Sequence, residues 1–200
     1  MIELLVDPDV SRLKFEREVS RFAENAREYR QRGWILLKAE FPDVEVAFAA
    51  PHLWPHALLF AARVNFSNYD LWAPSVRFID PFDGHTLTLA EARKKRISLP
   101  QNQGSNLVLG PNGPIQMQVA TDLVQADDEN DLAFICLPGI REYHEHPAHS
   151  GDPWLTHRKE GIGSLHNILD KLHGHGVLSA RAFGFNLTVT ISDIQRMGPG

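Results

Sequence analysis

Residues 34–79 contain four β-rich runs: Trp34-Ile-Leu-Leu-Lys-Ala-Glu-Phe41, Val44-Glu-Val-Ala-Phe48, Leu58-Leu-Phe-Ala-Ala-Arg-Val-Asn-Phe66 and Ser75-Val-Arg-Phe-Ile79. A proline interrupts the chain between each pair, at Pro42, at Pro51 and Pro55, and at Pro74. Val44–Phe48 and Ser75–Ile79 alternate apolar with polar residues, the period of a half-buried strand. Four such strands in succession, joined by short links, predict an antiparallel meander.

Upstream, residues 8–31 carry Leu13, Phe15, Val19, Phe22, Ala23 and Ala26 between charged residues, a helical stripe. Asp7 is its expected cap, Pro8 its first turn and Gly33 its stop. Downstream, Pro81, Gly84, Pro100, Gly104, Gly110, Pro111, Gly113 and Pro114 punctuate residues 80–131, so loops are expected to dominate there. Leu107–Leu109 and Ile115–Val119 can form a hairpin across Pro-Asn-Gly-Pro. Leu132–Cys136 reads as a short buried strand. Gly161–Leu172, with Ile162, Leu165, Ile168, Leu169 and Leu172, reads as an amphipathic helix closed by Gly174 and Gly176. Phe183–Ile191 alternates and reads as a last strand. The order predicts an α+β fold.

Two hundred residues suit one domain, and 43% apolar with 22% charged residues is ordinary for a globular chain. A net charge of −5 argues against nucleic-acid binding, which needs a basic face. The run Arg93-Lys-Lys-Arg96 is expected to be a solvated loop or helix end. A single cysteine leaves no internal disulfide and fits a reducing cytoplasm. The start of the chain reads as no signal peptide, and no apolar run is long enough to predict a membrane span.

Chemistry concentrates around that cysteine. Cys136, Glu142, His144, His146 and His149 supply thiol, carboxylate and imidazole within a few turns of chain. These are the ligand types zinc favours. They also suit a reactive thiol with supporting groups, because a nearby cation or metal lowers a thiol pKa. The blander alternatives are a histidine-rich solvated loop and a simply buried thiol. His144 and His146 share a face if extended; His146 and His149 share one if helical, with Pro147 in the way. His157 is a reserve ligand, and His85, after Asp83-Gly84, could approach the cluster in space. Trp54, between Pro51 and Pro55, sits in a rigid loop with a possible partner role. The Gly-Pro-Asn-Gly-Pro run lacks the Lys-Ser/Thr of a phosphate loop.

Two stretches resemble the ubiquitin-conjugating-enzyme (RWD-like) fold. Val64-Asn-Phe-Ser-Asn-Tyr69-Asp-Leu-Trp-Ala-Pro74-Ser-Val76-Arg-Phe78 is similar to that family's strand, Tyr-Pro turn and next strand. Phe134-Ile-Cys136-Leu is similar to its Ile-Cys-Leu, and Trp154-Leu-Thr with the helix through Leu172 is similar to its Trp turn and crossover helix. The resemblance implies one domain over 1–200, with insertions at about 80–130 and 137–153. It implies a thioester with a ubiquitin-like protein on Cys136. The family's His-Pro-Asn triplet has no counterpart before Cys136, so other polar groups would have to stabilise the oxyanion.

The run Cys136-x5-Glu142-x-His144-x-His146-Pro-Ala-His149-Ser-Gly-Asp-x-Trp154 more closely resembles a bacterial family named for its Cys-Glu-His-His motif and expected to bind metal. That resemblance implies ubiquitin-like proteins, activating enzymes and JAB-type peptidases as pathway partners. It leaves two main expectations. The first is a conjugating-enzyme-like transferase with Cys136 as nucleophile. The second is a zinc-stabilised interaction module with Cys136 as ligand. A zinc hydrolase, with Glu142 or Glu145 as base, is a third.

Overall fold

The computed structural model describes residues 5–110 and 113–182, with 102–110 and 114–120 as backbone alone. Helix α1 spans Pro8–Glu24; the Asp7 side chain accepts from the Asp9 N–H, and Pro8 sits in the first turn, where a missing donor is harmless. The single helix expected over 8–31 is broken. Asn25, at φ −103° and ψ 11°, leaves the helical path, and α2 restarts over Ala26–Gln31. Asn25 donates its side-chain amide to Arg21 O, the competition with backbone bonding that makes Asn a helix breaker. The break turns Tyr29 inward to stack on Trp34, rings 4.6 Å apart. Gly33 then reverses the chain at φ +85°, where a Cβ would meet Ala49 O at 2.2 Å.

Strands β1 (Trp34–Glu40), β2 (Asp43–Ala50), β3 (Ala57–Asn65) and β4 (Ser75–Ile79) pair in sequence order, all antiparallel. The register aligns the apolar positions in rows. Val44, Val64 and Val76 form one; Val46, Ala62 and Phe78 the next; Phe48 lies opposite Phe60, rings stacked at 4.7 Å. All are buried. A fully buried side chain of this size contributes roughly 1.5–3 kcal/mol, so this face is the main source of stability.

The expectation that loops dominate 80–131 is overturned. Helix α3 covers Leu89–Lys94, and β5 (Pro100–Gly110) pairs with β6 (Gly113–Asp122) as a hairpin longer than the expected one. Among the described residues the hairpin is its own two-stranded sheet, and the edge of such a sheet tolerates Pro and Gly. Helix α3 carries a capping box: Thr88 accepts from Glu91 N while Glu91 accepts from Thr88 N. Arg93 and Lys94 form its last turn, a favourable place for cations. Strand β7 (Val124–Gln125) pairs with β8 (Phe134–Ile135), which leads directly to Cys136.

Three short helical pieces follow: α4 (Arg141–Glu145), a 3₁₀ turn at Pro147–His149, and α5 (Trp154–His157). Helix α6 begins at Leu165, later than the expected Gly161, because Ser164 caps it by accepting from Asn167 N. Gly163 has a packing role instead: a Cβ there would lie 2.7 Å from the Trp154 ring. Nor do Gly174 and Gly176 stop the helix; the chain runs on as a π-helical turn over His173–Val177. A Cβ on Gly176 would meet Phe60 at 2.6 Å.

Helix α6 buries Leu165, Ile168, Leu169 and Leu172 in the same core as α1 and the inner face of the sheet. Glu18 of α1, itself buried, accepts from Leu165 N at 3.1 Å and anchors the start of α6. The result is a mixed α+β fold with an antiparallel sheet. No helix among the described residues is long and apolar enough to cross a membrane. The strand expected over Phe183–Ile191 lies outside the described residues.

Candidate functional site

Cys136 leaves β8 with its N–H donated to Leu123 O at 2.9 Å, between Ile135 and Leu137, both buried. The thiol is half-buried, and burial pushes its pKa up. The next turn is fixed from two sides. Lys171 of α6 donates to Pro138 O at 2.8 Å. Gly139 adopts φ +97°, and a Cβ there would meet Ile162 O at 2.6 Å. Only glycine fits that turn.

Helix α4 is then pinned to the sheet by side chains rather than by an apolar face, for none of its residues is buried. Arg141 N donates to Pro74 O at 2.9 Å, and its guanidinium donates to Ala73 O (3.1 Å) and Ser67 O (2.7 Å). Glu142 accepts from the Ser75 hydroxyl and from Val76 N, and pairs with Arg77 at 3.3 Å. It is a carboxylate tying α4 to β4.

Of the histidines expected here, His149 alone is within hydrogen-bond distance of the thiol. Its Nε2 lies 3.2 Å from Cys136 Sγ. Its ring stacks on Tyr143, centroids 4.0 Å apart and planes 22° apart. Tyr143 donates its hydroxyl to Asp152 at 3.0 Å, and the other carboxylate oxygen of Asp152 meets His157 Nε2. His157 also pairs with Glu160 at 3.0 Å; the two carboxylates, Asp152 first, raise its pKa. Asp152 is lowered in turn, first by the hydrogen bond from His157. Thiol, imidazole, phenol, carboxylate and second imidazole thus form one connected network. Residue type and spacing assign no role to Tyr143 or Asp152 in the sequence.

His144 faces elsewhere. Its Nδ1 must donate, since its partner is the carbonyl of Asp152 at 2.8 Å; its Nε2 accepts from Gly139 N at 3.0 Å. Burial lowers its pKa, which suits a neutral ring bridging two loops. His146 accepts from Ala148 N with Nδ1, and its Nε2 stands 4.0 Å from Asp127. His85 pairs with Asp83 and lies beside Glu91, with no partner in the Cys136 network. Trp54 is exposed and contacts His56 edge-on.

Tested as zinc ligands, Cys136, Glu142, His144, His146 and His149 do not fit one ion. Glu142 is committed to β4, both nitrogens of His144 are engaged, and Cys136 with His149 is the one close pair. Among the described residues, Asp80, Asp83 and His85 are the group with ligand atoms within 4.8 Å of one another. Asp80 is occupied by Lys95 there, and Asp83 by His85.

A model of the Y4jH family matches residues 6–180, a span that includes every element of this site. The chain belongs to the Y4jH family. A relative, the uncharacterized protein y4jH of Sinorhizobium fredii (strain NBRC 101917 / NGR234), is 40% identical over 190 residues, covering 94% of this chain and 93% of the relative. The Y4jH match therefore takes in the meander, the thiol network and α6 together.

Proposed function

We propose that this Y4jH-family chain is a conjugating-enzyme-like transferase that carries a ubiquitin-like protein as a thioester on Cys136. The observation that carries the reading is the 3.2 Å approach of His149 Nε2 to Cys136 Sγ at the point where the chain leaves β8. The order of meander, cysteine, Trp-containing turn and closing helix supports the finer expectation of a ubiquitin-conjugating-enzyme-like scaffold within the α+β fold. Partners on this reading are a ubiquitin-like protein and its activating enzyme, with a JAB-type peptidase in the same pathway.

The chemistry needs a thiolate, and burial alone disfavours one. His149 resolves this by taking the thiol proton as the sulfur attacks. The Cys136 S–C bond forms at the C-terminal carbonyl of the ubiquitin-like protein while the C–S bond to the activating enzyme breaks, and the departing thiolate takes the proton from His149. In the second step an acceptor amine attacks that carbonyl, its C–N bond replaces the C–S bond, and the amine proton returns the thiol to neutrality. Tyr143 holds the imidazole in place by stacking, a task that in many thiol sites falls to a hydrogen bond on the other ring nitrogen.

The N–H groups of Cys136, Leu137 and Gly139 donate to Leu123 O, Ile135 O and His144 Nε2. Among the described residues no backbone oxyanion hole stands ready at the sulfur, so transfer is expected to depend on further donors, such as those of a partner. The test is an adduct between the chain and its cognate ubiquitin-like protein, made by the cognate activating enzyme. It should be cleaved by excess thiol and absent in Cys136→Ala. No adduct with the cognate pair, or a stoichiometric zinc ion that protects the thiol, overturns transfer; the latter would make the chain a non-catalytic module.

A further inference from the structure

A cavity lies beside the thiol network without including it. It holds about 300 Å³, within the range of small-ligand sites, and neither Cys136 nor His149 lines it. Leu71, Trp72, Trp154 and Leu155 supply apolar walls, with Arg141 and Glu145 as polar neighbours. The walls are set in advance. Trp154 donates its indole N–H to Asp70 O at 2.9 Å and packs tightly on Gly163. Trp72 carries the Arg141 guanidinium 5.0 Å from its ring centre.

The polar neighbours differ in what they have left to offer. Arg141 is engaged by the carbonyls of Ala73 and Ser67, and Glu142 and Glu145 both offset its charge. His144, which also borders the cavity, has both ring nitrogens engaged. Glu145 makes no hydrogen bond or salt bridge among the described residues. Desolvation raises its pKa, and the Arg141 guanidinium nearby opposes that rise without bonding to it.

We propose that this cavity binds the alkyl-ammonium side chain of a lysine on a partner protein, its methylenes against Trp72 and Trp154 and its charge on Glu145. Aromatic faces attract cations, apolar walls suit the four-carbon stem, and the carboxylate accepts from the ammonium. The site needs no thiol, so it stands or falls apart from transfer at Cys136.

The test is a titration of the full chain with Nα-acetyl-lysine methylamide, read on the indole N–H signals of its four tryptophans by NMR. The signals of Trp72 and Trp154 should move saturably while those of Trp34 and Trp54 stay. Nα-acetyl-norleucine methylamide, which keeps the stem and lacks the charge, should bind about tenfold more weakly, the worth of a charge-assisted hydrogen bond. Glu145→Gln should lose the same factor with an unchanged melting temperature, and Cys136→Ser should bind as the parent does. Equal binding of the norleucine compound, stronger binding of butyrate through Arg141, or no saturable shift would each overturn the proposal.

Discussion

The four-stranded meander and the segment from Cys136 to Gly163 are built on opposite plans. In the meander, side chains of one kind repeat at one period, and burial of Val44, Val46, Phe48, Phe60, Val64 and Phe78 holds the strands. The later segment has short helices; α4 buries no residue, and α5 buries Trp154 alone. Beyond the buried Leu137, Ile140 and Trp154, it is held by individual hydrogen bonds to carbonyls and carboxylates, such as Arg141 on Ser67 and Glu142 on Ser75. The difference teaches where stability and chemistry have been separated. An apolar face tolerates approximate partners, whereas a bond network fixes the positions of the thiol and imidazole and fails when one member is lost.

The largest effect should come from the meander. Phe78→Ala removes a fully buried ring between Ala62 and the core and is expected to cost about 3–5 kcal/mol in urea unfolding. A loss under about 1 kcal/mol would mean the sheet is not the main source of stability. Glu142→Ala is the matching cut in the network. It strands the Ser75 hydroxyl and leaves Arg77 with the Leu132 carbonyl alone at close range, and should cost about 1–3 kcal/mol. Equal stability for this variant and the parent would erase the claimed dependence on single bonds.

His149→Ala sharpens the contrast from the functional side. The ring is partly exposed and outside the core, so unfolding should change by under about 1 kcal/mol. Alkylation of Cys136 at neutral pH should fall about tenfold, because the buried thiol loses its proton acceptor. Unchanged alkylation would detach His149 from the thiol.

The smallest effect is a pH dependence. The raised pKa of His157 contributes stability in full below its unfolded value, about 6.5, and that contribution is lost as pH rises through the folded value. Asp152, lowered, contributes above its unfolded value and loses it as pH falls through the folded one. The melting-temperature gap between the parent and His157→Gln should therefore be widest near pH 5–6 and narrow toward pH 9. A gap that widens with pH would reverse the assigned charge states.

The same contrast explains what was legible in the sequence. The meander could be read because strand alternation is a local property of Val44–Phe48 and Ser75–Ile79. The capping box of α3 was also present as Thr88-x-x-Glu91, but the surrounding Pro and Gly drew the reading toward loops. Around Cys136, residue types identified the region and not its pairings. His144, His146 and His149 look alike in sequence. Which one meets sulfur depends on the turn at Gly139 and the 3₁₀ turn at Pro147–His149, and both are set by contacts with α6, Asp152 and the sheet. Tyr143 and Asp152 have no role legible in the sequence, because a phenol and a carboxylate acting through a neighbour leave no spacing signature.

Lys171 reaches from the last turn of α6 to the Pro138 carbonyl, and burial lowers its pKa. That single tether makes the closing helix a handle on the bend behind the sulfur. A protein that grips the outer side of α6 would shift the surroundings of the Cys136 thiol without ever touching it.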